Sequence, residues 1–191
     1  YIAFHNYRAT ISAEYDGFSE FTTEGAKPTS HYVPRFRNVF KQETDFLRGY
    51  AAGFKATPVR HASKEGIGEN LKNNLLQTKE TGLWNVGSHM MGETIPKESN
   101  MVTLDQEKTD EWGIPLLNID VDYDNNDEKM IQDFYEQFSE MYKKAGFSNI
   151  KIYDNKRRPG NDIHEMGGVR MGRDPKTSLL NSWNQLHHCN N

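Results

Sequence analysis

A single cysteine, Cys189, occurs in 191 residues. That excludes an intrachain disulfide and a cysteine-based zinc site, and it leaves the compartment open between cytoplasm and periplasm. No apolar run approaches the roughly 20 residues a membrane helix needs, and no charged-then-apolar leader is visible, so a soluble protein without a membrane span is expected. Neither sign of charge dominates. Lys and Arg number 23 against 27 Asp and Glu, for a net charge of −4, and the two signs are mixed along the chain. Nucleic acid is therefore excluded as the main partner, because backbone phosphates need a concentrated basic patch. The short cluster Lys156-Arg157-Arg158 runs into Pro159-Gly160 and reads as a solvated turn. No Gly-x-Gly-x-x-Gly follows a strand, so nothing in the chain is suited to a dinucleotide pyrophosphate. No nucleophile elbow supports serine hydrolysis.

What is present is enough apolar sequence for one domain spanning 1–191, with a core that leans on Phe, Tyr and Trp. Residues 7–15 alternate, with Tyr7, Ala9, Ile11, Ala13 and Tyr15 on one side, the period of a half-buried strand. Residues 22–30 read as a loop. His31 to Arg37 is extended, with Pro34 marking an edge or a strand start. Phe46 to Phe54 alternates large and small residues, which predicts a strand packed closely on its small side. Residues 62–82 turn weakly helical, 83–95 and 100–104 return to short strands, and 114–123 is the clearest strand.

Asn118, Asp120 and Asp122 invite a calcium reading. Neither register supplies the glycine and glutamate that an EF-hand loop requires, so the aspartates are taken as the wet face of a strand. Asn125 and Glu128 form a capping box ahead of a helix whose stripe is Met130, Phe134, Phe138 and Met141, closed by Gly146. Asn149 to Asp154 is a last strand. Many short strands with two or so helices give an α+β domain, a large mostly antiparallel sheet with helices on one face. His31, His61 and His89 stand alone and read as structural. His187 and His188 near Cys189 read as chain-end surface residues, and no metal site is expected.

The chemistry gathers near the end. His164 precedes Gly167 and Gly168, and an imidazole in a bend almost free of side chains can exchange a proton near neutral pH. Spacing alone favours a tight glycine turn carrying a surface histidine and does not decide for chemistry. The pattern His164-x-x-Gly167-x-x-Arg170-Met171-Gly172-x-Asp174-Pro175-x-x-Ser178 resembles the C-terminal signature of the glucose-methanol-choline (GMC) flavoprotein oxidoreductases. That family usually has threonine where this chain has Gly168. Weaker pieces follow in the family's order. They are His5-Asn6, Val33-Pro34-Arg35-Phe36-Arg37-Asn38, Arg48-Gly49-Tyr50, Gly92-Glu93-x-x-Pro96, Asn100-x-Val102-x-Leu104-Asp105 and Asp110-x-Trp112-Gly113-Ile114-Pro115.

The resemblance implies that the chain is the substrate-binding domain of a longer FAD-dependent enzyme. The FAD domain would be absent here, and no cofactor would be held by this fragment alone. The implied reaction oxidises a CH–OH group of a sugar, sugar acid or polyol to the carbonyl. His164 would act as base, and Gly167 and Gly168 would lie against the flavin. A second catalytic residue, Asn or His, would lie beyond Asn191. Arg48, Tyr50 and Trp84 are candidate substrate contacts, since sugars favour aromatic faces and fixed donors. The implied partners are the FAD-binding domain of the same polypeptide and a small sugar or polyol. The fragment alone would be inactive. The rival reading is a non-catalytic carbohydrate- or partner-binding β-rich module in which His164 only shapes a loop.

Overall fold

A computed structural model describes residues 2–16, 30–61, 66–76, 79–161 and 163–189, with the backbone alone for 60, 61 and 79–81. Of the loop predicted at 22–30, residues 22–29 lie outside the described residues. The fold is α+β, with antiparallel sheets dominating. The chain gathers into two compact units, one of residues 1–5, 93–124 and 158–191, the other of residues 6–92 and 125–157.

The second unit holds the large sheet. Its strands are β3 (Ala9–Asp16), β4 (His31–Val33), β5 (Tyr50–His61), β6 (Lys79–Glu93) and β9 (Ser148–Asp154), in the order β4-β5-β6-β3-β9, with the short β2 (His5–Asn6) paired to β6. β3 pairs with β6 and β9, and β5 with β4 and β6, all antiparallel. β4 is an edge strand that stops before Pro34, as a residue with no donor N–H requires.

Across β3, Ala9, Ile11 and Ala13 are buried beneath helix α2 (Asn125–Lys144). The helix buries Met130, Ile131, Phe134, Tyr135, Phe138 and Tyr142. Each large apolar side chain so covered stabilises by about 1.5–3 kcal/mol. Met141 points out and Tyr142 takes its place, its hydroxyl sharing a buried 2.7 Å hydrogen bond with Ser88. The helix closes as a Schellman motif: Phe147 N–H donates to Tyr142 C=O, Gly146 N–H donates to Lys143 C=O, and Gly146 takes φ 81°. The other helix, α1 (Glu69–Leu76), buries no residue.

Further local expectations are corrected. Phe46 to Gly49 is not strand, because Asn38 diverts it. The buried Asn38 amide donates to the carbonyls of Phe46 (3.0 Å) and Arg48 (2.9 Å), and its oxygen accepts from the Glu43 and Thr44 amides. Those carbonyls are taken by a side chain rather than a neighbouring strand. The second correction concerns 79–93, where one 15-residue strand replaces the expected helix end and short strands. Tyr7 also departs from its predicted face. It precedes β3, and its ring lies beside His89, whose strand partner is Thr10 on the face away from α2.

The first unit contains two small sheets. β1 (Ile2–Ala3) pairs with β10 (Met166–Gly167), and β7 (Met101–Thr109) pairs with β8 (Pro115–Asp120). Asp110 makes the β7–β8 turn: its carboxylate accepts from the Trp112 and Ile114 amides, and its carbonyl accepts from Gly113 N–H. The hairpin leaves Leu104, Leu117 and Ile119 more than half exposed. Among the described residues, no helix is long and apolar enough to cross a membrane.

Candidate active site

His164 belongs to the first unit, and what holds its loop is the short β1–β10 ladder. Ile2 faces Gly167 and Ala3 faces Met166. β1 is fixed in turn by Phe4, which is buried against Tyr123 with ring centroids 5.7 Å apart. The Phe4 amide donates to Thr94 Oγ1 (3.0 Å), and that hydroxyl donates back to the Phe4 carbonyl (2.7 Å). Ile2 N–H reaches the carbonyl of Asn100, whose buried side chain bridges the backbone of Asp122 through both of its polar atoms. The Asn100 and Asp110 pieces of the sequence pattern are therefore framework residues of this unit.

On that frame His164 is exposed, and its ring meets the ring of His5 edge to face, with centroids 5.0 Å apart and planes at 85°. Beyond it Gly167 and Gly168 have φ of 91° and 71°. A β-branched residue is badly strained at such angles, so glycine in place of threonine at 168 goes with this backbone. Both glycines are exposed and present bare main chain beside the imidazole.

The rest of the signature is a clamp built on Asp174. The Asp174 carbonyl accepts from the Thr177 and Ser178 amides (3.0 Å each) and from Ser178 Oγ (2.7 Å), while its carboxylate caps Lys176 N–H. Ser178 is buried against Gly172, where an added Cβ would lie 2.7 Å from Ser178 Cβ and Oγ. His187, half-buried rather than at the surface, completes the clamp. Its Nε2 lies 3.1 Å from Gly172 C=O and 3.2 Å from Ser178 Oγ. A carbonyl can only accept, so Nε2 carries the proton. The Arg170 carbonyl takes both the Leu179 and Leu180 amides. The sequence pattern pointed to Gly172 and Ser178; His187 carried no signal, because only the fold returns it to Gly172.

The other candidates lie in the second unit. Arg48 is exposed with φ 68°. Trp84 is half-buried on β6, opposite Tyr15 and Pro58 on the α2 side of the sheet. Tyr50 is 1% exposed, and its hydroxyl donates to Asp133 Oδ2 at 2.6 Å. Arg37 grips the same carboxylate at 3.0 and 2.7 Å. Burial first, and then the bond to a carboxylate, push the Tyr50 phenol far above its ordinary value. Among the described residues, no group of three or more His, Cys, Asp or Glu is placed to hold a metal ion.

Comparison with known proteins adds two findings. The C-terminal family model described as GMC oxidoreductase matches residues 96–191, which include the β7–β8 hairpin, the His164 loop and the Asp174 clamp. Over 104 residues the chain is 31% identical to the 2-methyl-1,2-propanediol dehydrogenase of Mycolicibacterium austroafricanum, a stretch covering 52% of this chain and 18% of that relative.

Proposed function

Because the chain belongs to the GMC oxidoreductase family, we propose that it forms the substrate-binding part of an FAD-dependent enzyme oxidising a CH–OH group of a sugar, sugar acid or polyol to the carbonyl. The observation that carries the reading is the exposed His164 imidazole beside the bare backbone of Gly167 and Gly168.

An alcohol carbon releases hydride poorly while its oxygen keeps the proton, because no carbonyl can then form. A ring nitrogen of His164 takes that proton as the C–H bond breaks, a contribution of about 10²–10⁴ in rate for a well-placed base. Flavin, held with its ring against Gly167 and Gly168, would supply the acceptor for the hydride. The residues present fit the ring of such a group and not its phosphates. Gly167 and Gly168 leave room for a flat face, while no glycine-rich pyrophosphate loop occurs in the sequence. The phosphates therefore fall to an FAD-binding domain of the same polypeptide. Leu104, Leu117 and Ile119 are exposed apolar surface of the kind a neighbouring domain covers. The name of the relative, a diol dehydrogenase, supports a hydroxylated substrate. Arg48 and Trp84 stay in the proposal as substrate contacts. Tyr50 does not, its hydroxyl being committed to Asp133.

The test is an anaerobic titration of the complete protein with a panel of sugars, sugar acids and polyols. At least one should bleach the flavin absorbance in a one-to-one ratio. A colourless protein that binds sugars without changing them would favour the non-catalytic module instead.

A further inference from the structure

We infer that the second unit carries a binding site for a small hydroxylated carboxylate, a sugar acid, in the cleft lined by Tyr7, Thr10, His89, Asn155 and Arg157. The cleft lies on the sheet face away from α2 and has a volume of about 530 Å3, within the range of roughly 300–1,000 Å3 usual for small-molecule sites.

Its walls are held in place. The Asn155 amide donates to the Tyr7 carbonyl (2.7 Å), its oxygen accepts from Arg157 N–H (2.8 Å), and its own N–H donates to the Arg8 carbonyl (3.0 Å). Lys156 sits at φ 53° and carries its ammonium to Asp154, 2.9 Å away. The next residue, Arg157, faces the cleft, and among the described residues no carboxylate pairs with its guanidinium. Arg8 and Arg37, in the same unit, are both paired with carboxylates. The rings of Tyr7 and His89 are 22° from parallel with centroids 5.9 Å apart. His89 rests over Gly53, where an added Cβ would overlap the imidazole, so the missing side chain sets the depth of the ring.

The chemistry of the lining selects the ligand. None of the five residues is acidic, and Arg157 is the one formal charge among them. A guanidinium matches a planar carboxylate through two parallel hydrogen bonds. Phosphate sites commonly add a helix N-terminus or a nest of amides, and no lining residue lies in a helix. Two aromatic faces, one of them the His89 imidazole, and the Thr10 hydroxyl suit the C–H face and hydroxyls of a sugar skeleton. The inference goes beyond the proposed substrate contacts, since neither Arg48 nor Trp84 lines this cleft.

The experiment is anaerobic calorimetric titration of the complete protein with gluconate, glucose and inorganic phosphate, for wild type, Arg157→Met and Arg158→Met. Charge-assisted hydrogen bonds predict gluconate binding at least about tenfold tighter than glucose. Arg157→Met should erase that preference, and Arg158→Met should keep it. Gly53→Ala should weaken gluconate and glucose together, leaving their ratio intact. Equal binding of gluconate and glucose, no binding of either, an unaffected Arg157→Met, or phosphate as tight as gluconate would each overturn the assignment. Flavin absorbance separates the two readings. A colourless protein that still prefers gluconate through Arg157 removes the oxidoreductase and keeps this site; a bleaching flavoprotein indifferent to Arg157→Met does the reverse.

Discussion

Tyr50 shows how a polar residue that looks available to a ligand becomes part of a framework. Its ring meets Phe36 and Phe134 edge to face, with centroids 5.6 and 5.7 Å apart, and its hydroxyl shares Asp133 with Arg37. Tyr50→Phe should lower stability by about 1–2 kcal/mol, since Asp133 keeps its arginine while one charge-assisted bond is lost. Chemical denaturation measures that loss directly, and an unchanged midpoint would return Tyr50 to the list of possible ligand contacts. The histidines separate by the same kind of inspection. His187 is tied to Gly172 and Ser178, His89 lines a cleft, and His164 stands exposed beside bare glycines. The family resemblance singled out only His164, because the other two acquire their surroundings from residues distant along the chain.

Among the elements, α2 is the one whose sequence and structure agree most closely, since its stripe (Met141 apart) and its closing glycine are local patterns. Gly146 closes it at φ 81° with both Schellman hydrogen bonds in place. Gly146→Ala should destabilise by about 1 kcal/mol, because any Cβ is strained in that conformation, and thermal unfolding would show the shift. β3 was legible from alternation, and β9 lies within one residue of its expected bounds. The segment from Arg35 to Gly49 was not. Its path is set by Asn38, a single polar residue at φ 51° that gathers two carbonyls and two amides from residues 43–48. Alternation at Phe46, Arg48 and Tyr50 imitated a strand there, although only the part from Tyr50 onward finds strand partners. The β7–β8 hairpin was readable in outline, yet its two-sided exposure of apolar residues was not, because alternation presumes one dry face.

At the scale of the whole molecule, the ends of the second unit are joined by charge. Arg8 bonds Asp154 at 3.2 and 2.5 Å and also engages Glu128 at the start of α2. The hydrogen bonds from Arg8, and then those from Lys156, hold the Asp154 carboxyl well below the usual carboxylate range. A carboxylate with a depressed native value contributes stability above its unfolded value of about 3.9, and loses it as pH falls through the lower native value. Unfolding free energy should therefore drop on acidification below about pH 4, and Asp154→Asn should be less stable at neutral pH with a shallower acid limb. An Asp154→Asn variant with the wild-type acid limb would show that other carboxylates govern it.

The central claim remains the proton transfer at His164, and the rate of flavin reduction in a single anaerobic turnover of the complete protein tests it most directly. His164→Ala should retain the flavin spectrum and bind substrate, but reduce the flavin about 10²–10⁴ times more slowly than wild type. Reduction at the wild-type rate would contradict the assignment of His164 as the base.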